Sequence, residues 1–221
     1  MKNLIYKELH LGLNKAIYIS LLFVFILLIP NYPVVITFAY LFTMLPNFVF
    51  SFASSNRDYE YSQILPVRKN EYVKSKLFDF IFIEVIFLLL SIPILFIRNY
   101  VLYSDPSSAL YYIKENSLSS IPTMYSITLI SYSLANLIGM KLYFKSMPKH
   151  AGAILLSIFG EFIIVTILGI ALPFIPNSEC IYSATGSMPW LKIIILIISM
   201  LFSILSTYLT YRTSLKELNK H

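Results

Sequence analysis

The sequence predicts an all-α polytopic membrane protein: six transmembrane helices, an N-terminal amphipathic helix at the interface, and both termini in the cytoplasm. Of its 221 residues, 57% are hydrophobic and 13% charged, and mean hydropathy is +0.74. Soluble domains carry about 45–50% apolar and about 25% charged residues. The apolar residues also form blocks close to the roughly 20 residues that one helical crossing needs. We therefore expect residues 1–221 to form a single transmembrane domain.

The expected elements follow the apolar blocks in chain order. Residues 1–15 mix leucines with charged residues, which predicts an amphipathic helix at the cytoplasmic interface; a frayed polar leader is the alternative. The expected spans are 16–30, 33–54, 77–97, 121–144, 151–175 and 190–211, followed by a polar tail, 212–221. No small-residue cleavage site follows the first block, so we interpret it as a retained span rather than a signal peptide.

The orientation follows from the distribution of lysine and arginine, because loops on the cytoplasmic side carry an excess of both. With six spans, one set of loops contains Lys2, Lys7, Lys15, Arg57, Arg68, Lys69, Lys74, Lys76, Lys141, Lys145, Lys149, Arg212, Lys216 and Lys220. The other set contains only Arg98, Lys114 and Lys192. Both termini are thus predicted to be cytoplasmic. We interpret the net charge of +6 as the excess of basic residues that orients a membrane protein, rather than as a nucleic-acid site.

Several kinds of chemistry have no motif in this sequence. The six glycines form no phosphate-binding loop, so we expect no ATP site in the chain. The three histidines are far apart and the single cysteine is Cys180, so neither a metal site nor an intrachain disulfide is expected. No serine lies in a nucleophile elbow. An intramembrane hydrolase is therefore unsupported.

Polar residues inside the predicted spans are candidates for function, because ionisable groups are costly within a bilayer. Glu84 and Glu161 lie deep in spans 3 and 5, where each could join helices or line a path. With Asn47 and Asn136, they form the candidate translocation path. Asp79 lies in the first turn of span 3, where we expect it to be solvated.

Two further spans carry polar stripes at helical spacing. The stripe on span 4 comprises Tyr125, Tyr132, Asn136, Gly139 and Tyr143, and it suits either a cavity or a helix contact. The stripe on span 6 comprises Ser199, Ser203, Ser206 and Thr210. Small hydroxylated residues let membrane helices approach closely, so we favour packing for span 6.

The most informative loop is 55–76, which carries five cations in the sequence SNRDYEYSQILPVRKNEYVKSK. Tyr61, Ile64 and Leu65 are spaced to form a short apolar helical face, and Pro66 ends that segment. From Arg68 the chain can run as a helix directly into span 3. A short helix between two spans suits docking of a soluble partner, whereas a solvated loop that only sets the topology is the alternative.

This loop resembles the cytoplasmic loop of ABC-2-type transporter permeases. The matching residues are Asp58, Glu60, Leu65, Pro66, Val67, Arg68, Lys69, Glu71, Val73, Ser75 and Lys76. The opening Lys2-Asn3-Leu4-Ile5-Tyr6-Lys7-Glu8, the six-span plan and the chain length also agree with that family. The small form without an external domain resembles the bacterial subgroup that exports amphipathic peptides such as phenol-soluble modulins.

The resemblance implies a permease subunit in a bacterial plasma membrane, pairing with itself or with a related permease. It also implies separate ATP-binding cassette subunits, which bind ATP and Mg²⁺, so the chain itself would be neither an enzyme nor a cofactor carrier. The residues expected to couple to the ATPase are Arg57, Asp58, Glu60, Tyr61, Ile64, Leu65, Pro66, Arg68 and Glu71. A stand-alone membrane immunity or binding protein is the alternative function.

Overall fold

The computed structural model describes residues 2–9, 15–29, 58–64, 67–98, 120–145, 163 and 188–220. Its helices are α1 (Lys2–Lys7), α2 (Lys15–Ser20), a 3₁₀ helix (Leu21–Leu28), α3 (Asp58–Ile64), α4 (Lys69–Phe96), α5 (Ile121–Lys145) and α6 (Pro189–Leu218). Within these ranges there is no β-strand. The all-helical prediction is confirmed for this part of the chain.

Three helices, α4, α5 and α6, are long and apolar enough to cross a membrane. They correspond to predicted spans 3, 4 and 6. The first predicted span is a shorter apolar helical stretch, Ile17–Leu28. Predicted spans 33–54 and 151–175 lie outside the described residues, apart from Ile163. The structure thus supports a membrane protein with at least these three candidate crossings.

Helix α4 extends further towards its N-terminus than the apolar block. It begins at Lys69, after Arg68 in extended conformation (φ −72°, ψ 142°), and continues for 28 residues. The predicted continuity from Arg68 into span 3 is therefore confirmed. At 1.5 Å per residue the helix is about 42 Å long, whereas the hydrocarbon core of a bilayer is about 30 Å thick. Its first turns therefore project beyond the apolar layer.

The 3₁₀ helix packs along α4, and its buried residues recur at every third position. Leu21, Val24 and Leu27 are buried, and residues three apart lie on the same face of a 3₁₀ helix. At its end, the Leu27 carbonyl accepts a hydrogen bond from Arg98 Nη1 at 3.1 Å. The 3₁₀ helix therefore ends beside the C-terminal end of α4.

Helix α5 packs against both α4 and α6, and α6 also contacts α4 directly. Helix α5 runs antiparallel to α4, because Tyr143 near its end contacts Tyr72 near the start of α4. Lys69 Nζ donates to the Leu218 carbonyl at 3.3 Å, so the end of α6 adjoins the start of α4. Because α5 and α6 both run antiparallel to α4, they run parallel to each other.

Helix α6 forms the outer edge of the described bundle. Only 17% of its most apolar stretch is buried, compared with 56% for α5. Its exposed side is a row of large apolar residues that includes Ile194, Ile197, Leu201 and Ile204. Water would oppose so large an exposed apolar face, whereas lipid would not. The helix also continues past the predicted end at Tyr211 to Leu218, since no proline or glycine interrupts it.

Candidate functional site

Four charged side chains from three helices meet beside the start of α4, and we call them the ionic cluster: Lys7, Glu8, Asp58 and Lys76. Lys76 Nζ lies 2.5 Å from Glu8 Oε2 and 2.9 Å from Asp58 Oδ2. Lys7 Nζ pairs with Asp58 Oδ1 and donates to Ser62 Oγ at 3.0 Å. The side chains of Glu8 and Lys76 are at most 1% exposed. The cluster thereby fastens α1 and α3 to α4.

Aromatic side chains close the cluster on the side of α5. Tyr72 Oη donates to Asp58 Oδ2 at 3.1 Å, and it lies 3.5 Å from Tyr143 Oη. The ring of Phe144 meets the ring of Tyr72 edge-on, with centroids 6.1 Å apart. A hydrogen-bonded chain therefore connects α3 to α5 through α4.

The low-polarity surroundings strengthen every charge interaction in the cluster. Burial by itself raises the pKa of Asp58, but the ammonium groups of Lys76 and Lys7 outweigh it. The net effect is a pKa below the ordinary value of that carboxyl. Asp58 is consequently ionised at neutral pH and holds both lysines.

Asp79 is buried beside the cluster, so the expectation that it is solvated is wrong. Its side chain has no exposed surface. The apolar block alone placed Asp79 at the water interface, but α4 begins earlier, at Lys69, and Glu8 contacts Lys76, three residues before Asp79. Both carboxyl oxygens of Asp79 make no hydrogen bond to a donor in the described residues.

The outer side of α3 is exposed, in contrast to its inner side. The exposed fraction is 53% for Tyr61 and 82% for Ile64. Lys7 Nζ lies 5.6 Å from the centre of the Tyr61 ring. Glu60 is also exposed. This short helix therefore has a buried charged side and an exposed side with apolar residues.

The structure divides the predicted coupling residues into three groups. Glu60, Tyr61, Ile64 and Arg68 are exposed, and Glu71 is partly buried. Asp58 is buried, and its contacts are with other parts of this chain. Arg57, Leu65 and Pro66 lie outside the described residues.

Two residues of the predicted translocation path meet between α4 and α5. Asn136 Nδ2 donates to Glu84 Oε1 at 2.8 Å. The other two, Asn47 and Glu161, lie outside the described residues. The observed contact is a bridge between helices, which is one of the two roles considered for Glu84.

The polar stripe of α5 faces α4. Besides Asn136 and Tyr143, Tyr125 Oη donates to the Leu88 carbonyl at 3.0 Å. On α6, Ser199, Ser206 and Thr210 are buried, which confirms the packing interpretation at those positions. Ser206 Oγ donates to the Ser133 carbonyl of α5 at 3.0 Å.

Sequence reasoning missed Lys7, Glu8, Tyr72 and Asp79 as members of the site. Glu8 carried a usable signal, because it lies four residues after Leu4 and shares its helical face. Both residues are buried, and a carboxylate on the apolar face of a helix implies a buried cation. The identity of that cation, Lys76, could not be read from a separation of 68 residues.

The described residues contain no group of three histidine, cysteine or acidic side chains that could hold a metal ion. No protein-family model matches the chain, and neither the curated proteins nor the solved structures compared with it contain a significant match. The site therefore has to be interpreted from its own geometry.

Proposed function

We propose that this chain is the transmembrane permease subunit of an ATP-binding cassette exporter and that α3 is its docking helix for a separate ATPase. One observation carries the proposal: α3 exposes apolar residues on one side, while buried ion pairs on the other side fasten it to the spanning helix α4. The resemblance of loop 55–76 to ABC-2-type permeases points to the same function.

The exposed side of α3 has the chemistry of a protein interface. Tyr61 and Ile64 are large apolar side chains, and Glu60 and Arg68 are charged residues beside them. Protein interfaces commonly combine aromatic and aliphatic anchors with a polar rim. An ATPase groove that receives Tyr61 and Ile64 would bury two large apolar side chains that α3 exposes.

The buried side of α3 supplies the mechanical connection. Asp58 is held by Lys76 of α4 and by Lys7 of α1, so a displacement of α3 has to move these neighbours or break buried ion pairs. Helix α4 continues without interruption from Lys69 to Phe96. Movement imposed by an ATPase would thereby reach the membrane-spanning part of α4, provided that the ATPase contacts α3 differently in its two states.

The finer topology belongs to the same proposal: six spans, both termini cytoplasmic, in a bacterial plasma membrane. The end of the bundle that carries α1, α3 and the contact between Lys69 and Leu218 also carries most of the described lysines and arginines. Arg98 and Lys192 lie at the other end of the bundle, just after the C-terminus of α4 and near the N-terminus of α6. This asymmetry supports a cytoplasmic position for α3.

The substrate path is proposed to lie between helices of two permease copies, identical or related. Glu84 and Asn136 would border it from α4 and α5, together with Asn47 and Glu161. Acidic groups within the membrane suit a cationic amphipathic peptide as cargo. Export that is unchanged after Glu161→Gln, at normal expression, would argue against this part of the proposal.

The docking proposal is tested by co-purification from native membranes in mild detergent. The tagged wild type is compared with the double variant Tyr61→Asp/Ile64→Asp, which adds two negative charges to the exposed side of α3. Lys216→Asp is the matched control, because it makes the same change in net charge at an exposed position on α6. We expect an ATP-binding cassette protein to co-purify with the wild type and the control but not with the double variant.

Each other outcome has a definite meaning. If the ATPase remains with the double variant, the partner is correct and α3 is not its docking site. If no ATPase co-purifies under conditions that preserve known transporters, the permease proposal fails. A stand-alone immunity or binding protein, which needs no ATPase, then becomes the better account.

A further inference from the structure

The exposed face of α6 has an aromatic side chain at each end. Trp190 is 77% exposed and Tyr208 is 54% exposed. They are 18 residues apart in α6, which is five helical turns, so the two rings share one face and lie about 27 Å apart along the axis. Tryptophan and tyrosine collect at the two interfaces of a bilayer, whose hydrocarbon core is about 30 Å thick. The two rings therefore match the two boundaries of that core.

Between the two rings, this face consists of large aliphatic side chains. Ile194, Ile197, Leu201 and Leu205 are all exposed there. Ser206, by contrast, is buried against α5, where its hydroxyl donates to a backbone carbonyl. Membrane helices pack on each other mainly through small residues. A face of large aliphatic residues therefore favours lipid over a second copy of the chain.

Two exposed cations lie beside the Tyr208 end of this face. Arg212 follows Tyr208 by about one helical turn, and its guanidinium carbon lies 5.8 Å from the centre of the Tyr208 ring. Lys74 of α4 has its Nζ 5.5 Å from the centre of the Tyr211 ring. Both cations are exposed. Because Arg212 is about 6 Å beyond Tyr208 along the axis, it lies at the depth of phospholipid headgroups.

We propose that this face of α6 binds an anionic phospholipid, with its phosphate at Arg212 and Lys74 and an acyl chain along Leu205 and Leu201. Leu201, Leu205, Tyr208 and Arg212 occupy positions i, i+4, i+7 and i+11 of one helix face, so a single lipid can contact all four. The proposal is independent of the transport function, because it requires only that α6 crosses the bilayer.

The chemistry at Arg212 favours a negative headgroup over a zwitterionic one. A guanidinium presents a fork of N–H donors that fits phosphate oxygens, and the cation–π contact with Tyr208 orients it. A basic residue at a membrane surface strengthens the binding of anionic lipid by roughly fivefold. At the other end of the face, Lys192 is buried. The preference for anionic lipid is therefore expected at the Arg212 end.

Fluorescence quenching by brominated phospholipid tests the site in vesicles. Trp190 is the only tryptophan of the chain, so the variant Trp190→Phe/Leu205→Trp carries one reporter, about two turns below Arg212 on the same face. It is reconstituted in phosphatidylcholine that contains the same fraction of either brominated phosphatidylglycerol or brominated phosphatidylcholine. We expect phosphatidylglycerol to quench more strongly, with a relative binding constant of about five or more.

Charge variants of this reporter protein locate the preference. Arg212→Gln should lower the relative binding constant about fivefold, and Arg212→Gln/Lys74→Gln should bring it to about one. Lys220→Gln is the matched control and should leave the constant unchanged. It removes the same charge from an exposed position about 12 Å farther along the helix axis, where Lys220 is paired with Glu217 at 2.7 Å.

Three results would overturn the proposal. Equal quenching by the two lipids before any charge is removed would mean that the headgroup is not selected. A preference that persists without Arg212 and Lys74, or that falls equally in Lys220→Gln, would come from the general surface charge. Absence of quenching by either lipid would mean that protein, such as a second copy of the chain, covers this face.

The unsubstituted protein gives an independent check of the lipid contact. Brominated phosphatidylcholine should quench Trp190 itself, because its ring is exposed at the far end of the same face. A Trp190 fluorescence that is insensitive to brominated lipid would contradict a lipid-covered α6 without recourse to any variant.

Discussion

Lys76 is the residue of the ionic cluster whose replacement we expect to cost the most stability. Its ammonium group is shared by Glu8 and Asp58, and its side chain is almost completely buried. Removing one member of a buried ion pair leaves the other charge uncompensated, which typically costs about 3–5 kcal/mol. Two carboxylates depend on this lysine, so we expect Lys76→Met to lower the free energy of unfolding by at least that amount.

The loss is measured by denaturant or thermal unfolding in a fixed detergent. Lys216→Met is the control, because it is the same substitution at an exposed position, where changes usually remain within about 0.5 kcal/mol. Similar losses in the two variants would show that the buried ion pairs contribute nothing specific.

Asp58 predicts how the cluster responds to acid. Its pKa in the folded protein is lowered, so its contribution to stability is present above the ordinary value of 3.8 and is lost as the pH falls through the lower folded value. We expect the difference in unfolding free energy between the wild type and Asp58→Asn to be constant from pH 7 to about 5. It should then shrink below about pH 4. A difference that shrinks already between pH 7 and 5 would contradict the assignment.

At the level of residues, the sequence predicted some members of the site and missed others. Glu84 and Asn136 were singled out because polar groups are costly inside a membrane, and they do contact each other. Glu8 was missed because its partner, Lys76, is 68 residues away in the chain. Asp79 was placed at the water interface because hydropathy does not show that α4 begins at Lys69. Asn47 and Glu161 remain predictions.

Helix α5 shows how one element serves two neighbours with different chemistry. Its tyrosine and asparagine stripe bonds to α4 through Tyr125, Asn136 and Tyr143. On its other side, the backbones of α5 and α6 lie close together, since the Ser133 carbonyl accepts a hydrogen bond directly from Ser206 Oγ. The contact with α4 therefore depends on polar pairs, and the contact with α6 depends on small size.

A double-mutant cycle tests the polar contact. Glu84→Ala, Asn136→Ala and the double variant isolate the coupling between the two side chains. Hydrogen bonds between membrane helices couple by about 0.6 kcal/mol on average, with a maximum near 1.7. We expect a coupling in that range, measured by unfolding in detergent, whereas a value of zero would mean that the bond contributes nothing to holding α4 on α5.

Substitutions of Ser206 test the close packing of α6. Ser206→Leu forces extra volume between α5 and α6, and overpacking typically costs about 1–3 kcal/mol. Ser206→Ala is the control, because it loses the hydrogen bond but keeps the small side chain. We expect the leucine variant to lose clearly more stability than the alanine variant. Equal losses would show that the hydrogen bond, rather than the size, matters.

The sequence predicted the elements well where hydropathy defines them. The start of α5 at Ile121 matches the prediction, because a polar segment ends there and an apolar one begins. The far end of α6 was less visible, since charged residues continue that helix beyond Tyr211 without proline or glycine. Helix propensity carries it beyond the apolar layer, and hydropathy does not register that extension.

Across the part of the molecule that the structure describes, charge and apolar surface are separated along the helix axes. The cluster, the basic start of α4 and the basic end of α6 lie at one end of the described bundle. The long apolar faces lie between that end and the other one. This arrangement is the one that a bilayer requires, and the lysine and arginine asymmetry supports our proposal that the cluster end faces the cytoplasm.

Labelling of single cysteines tests that orientation in a Cys180→Ser background. Met188 precedes α6 and Lys220 follows it, and both are exposed. The 30 residues of α6 span about 45 Å, more than the roughly 30 Å of the hydrocarbon core, so its two ends should lie on opposite sides.

In intact cells, a membrane-impermeant maleimide should label Met188→Cys but not Lys220→Cys, and permeabilisation should expose the second site. Tyr6→Cys on α1 should behave like Lys220→Cys, because α1 is bound to the same end of α4 as the end of α6. Labelling of Lys220→Cys in intact cells would invert the orientation, and α3 could then not be a docking helix for a cytoplasmic ATPase.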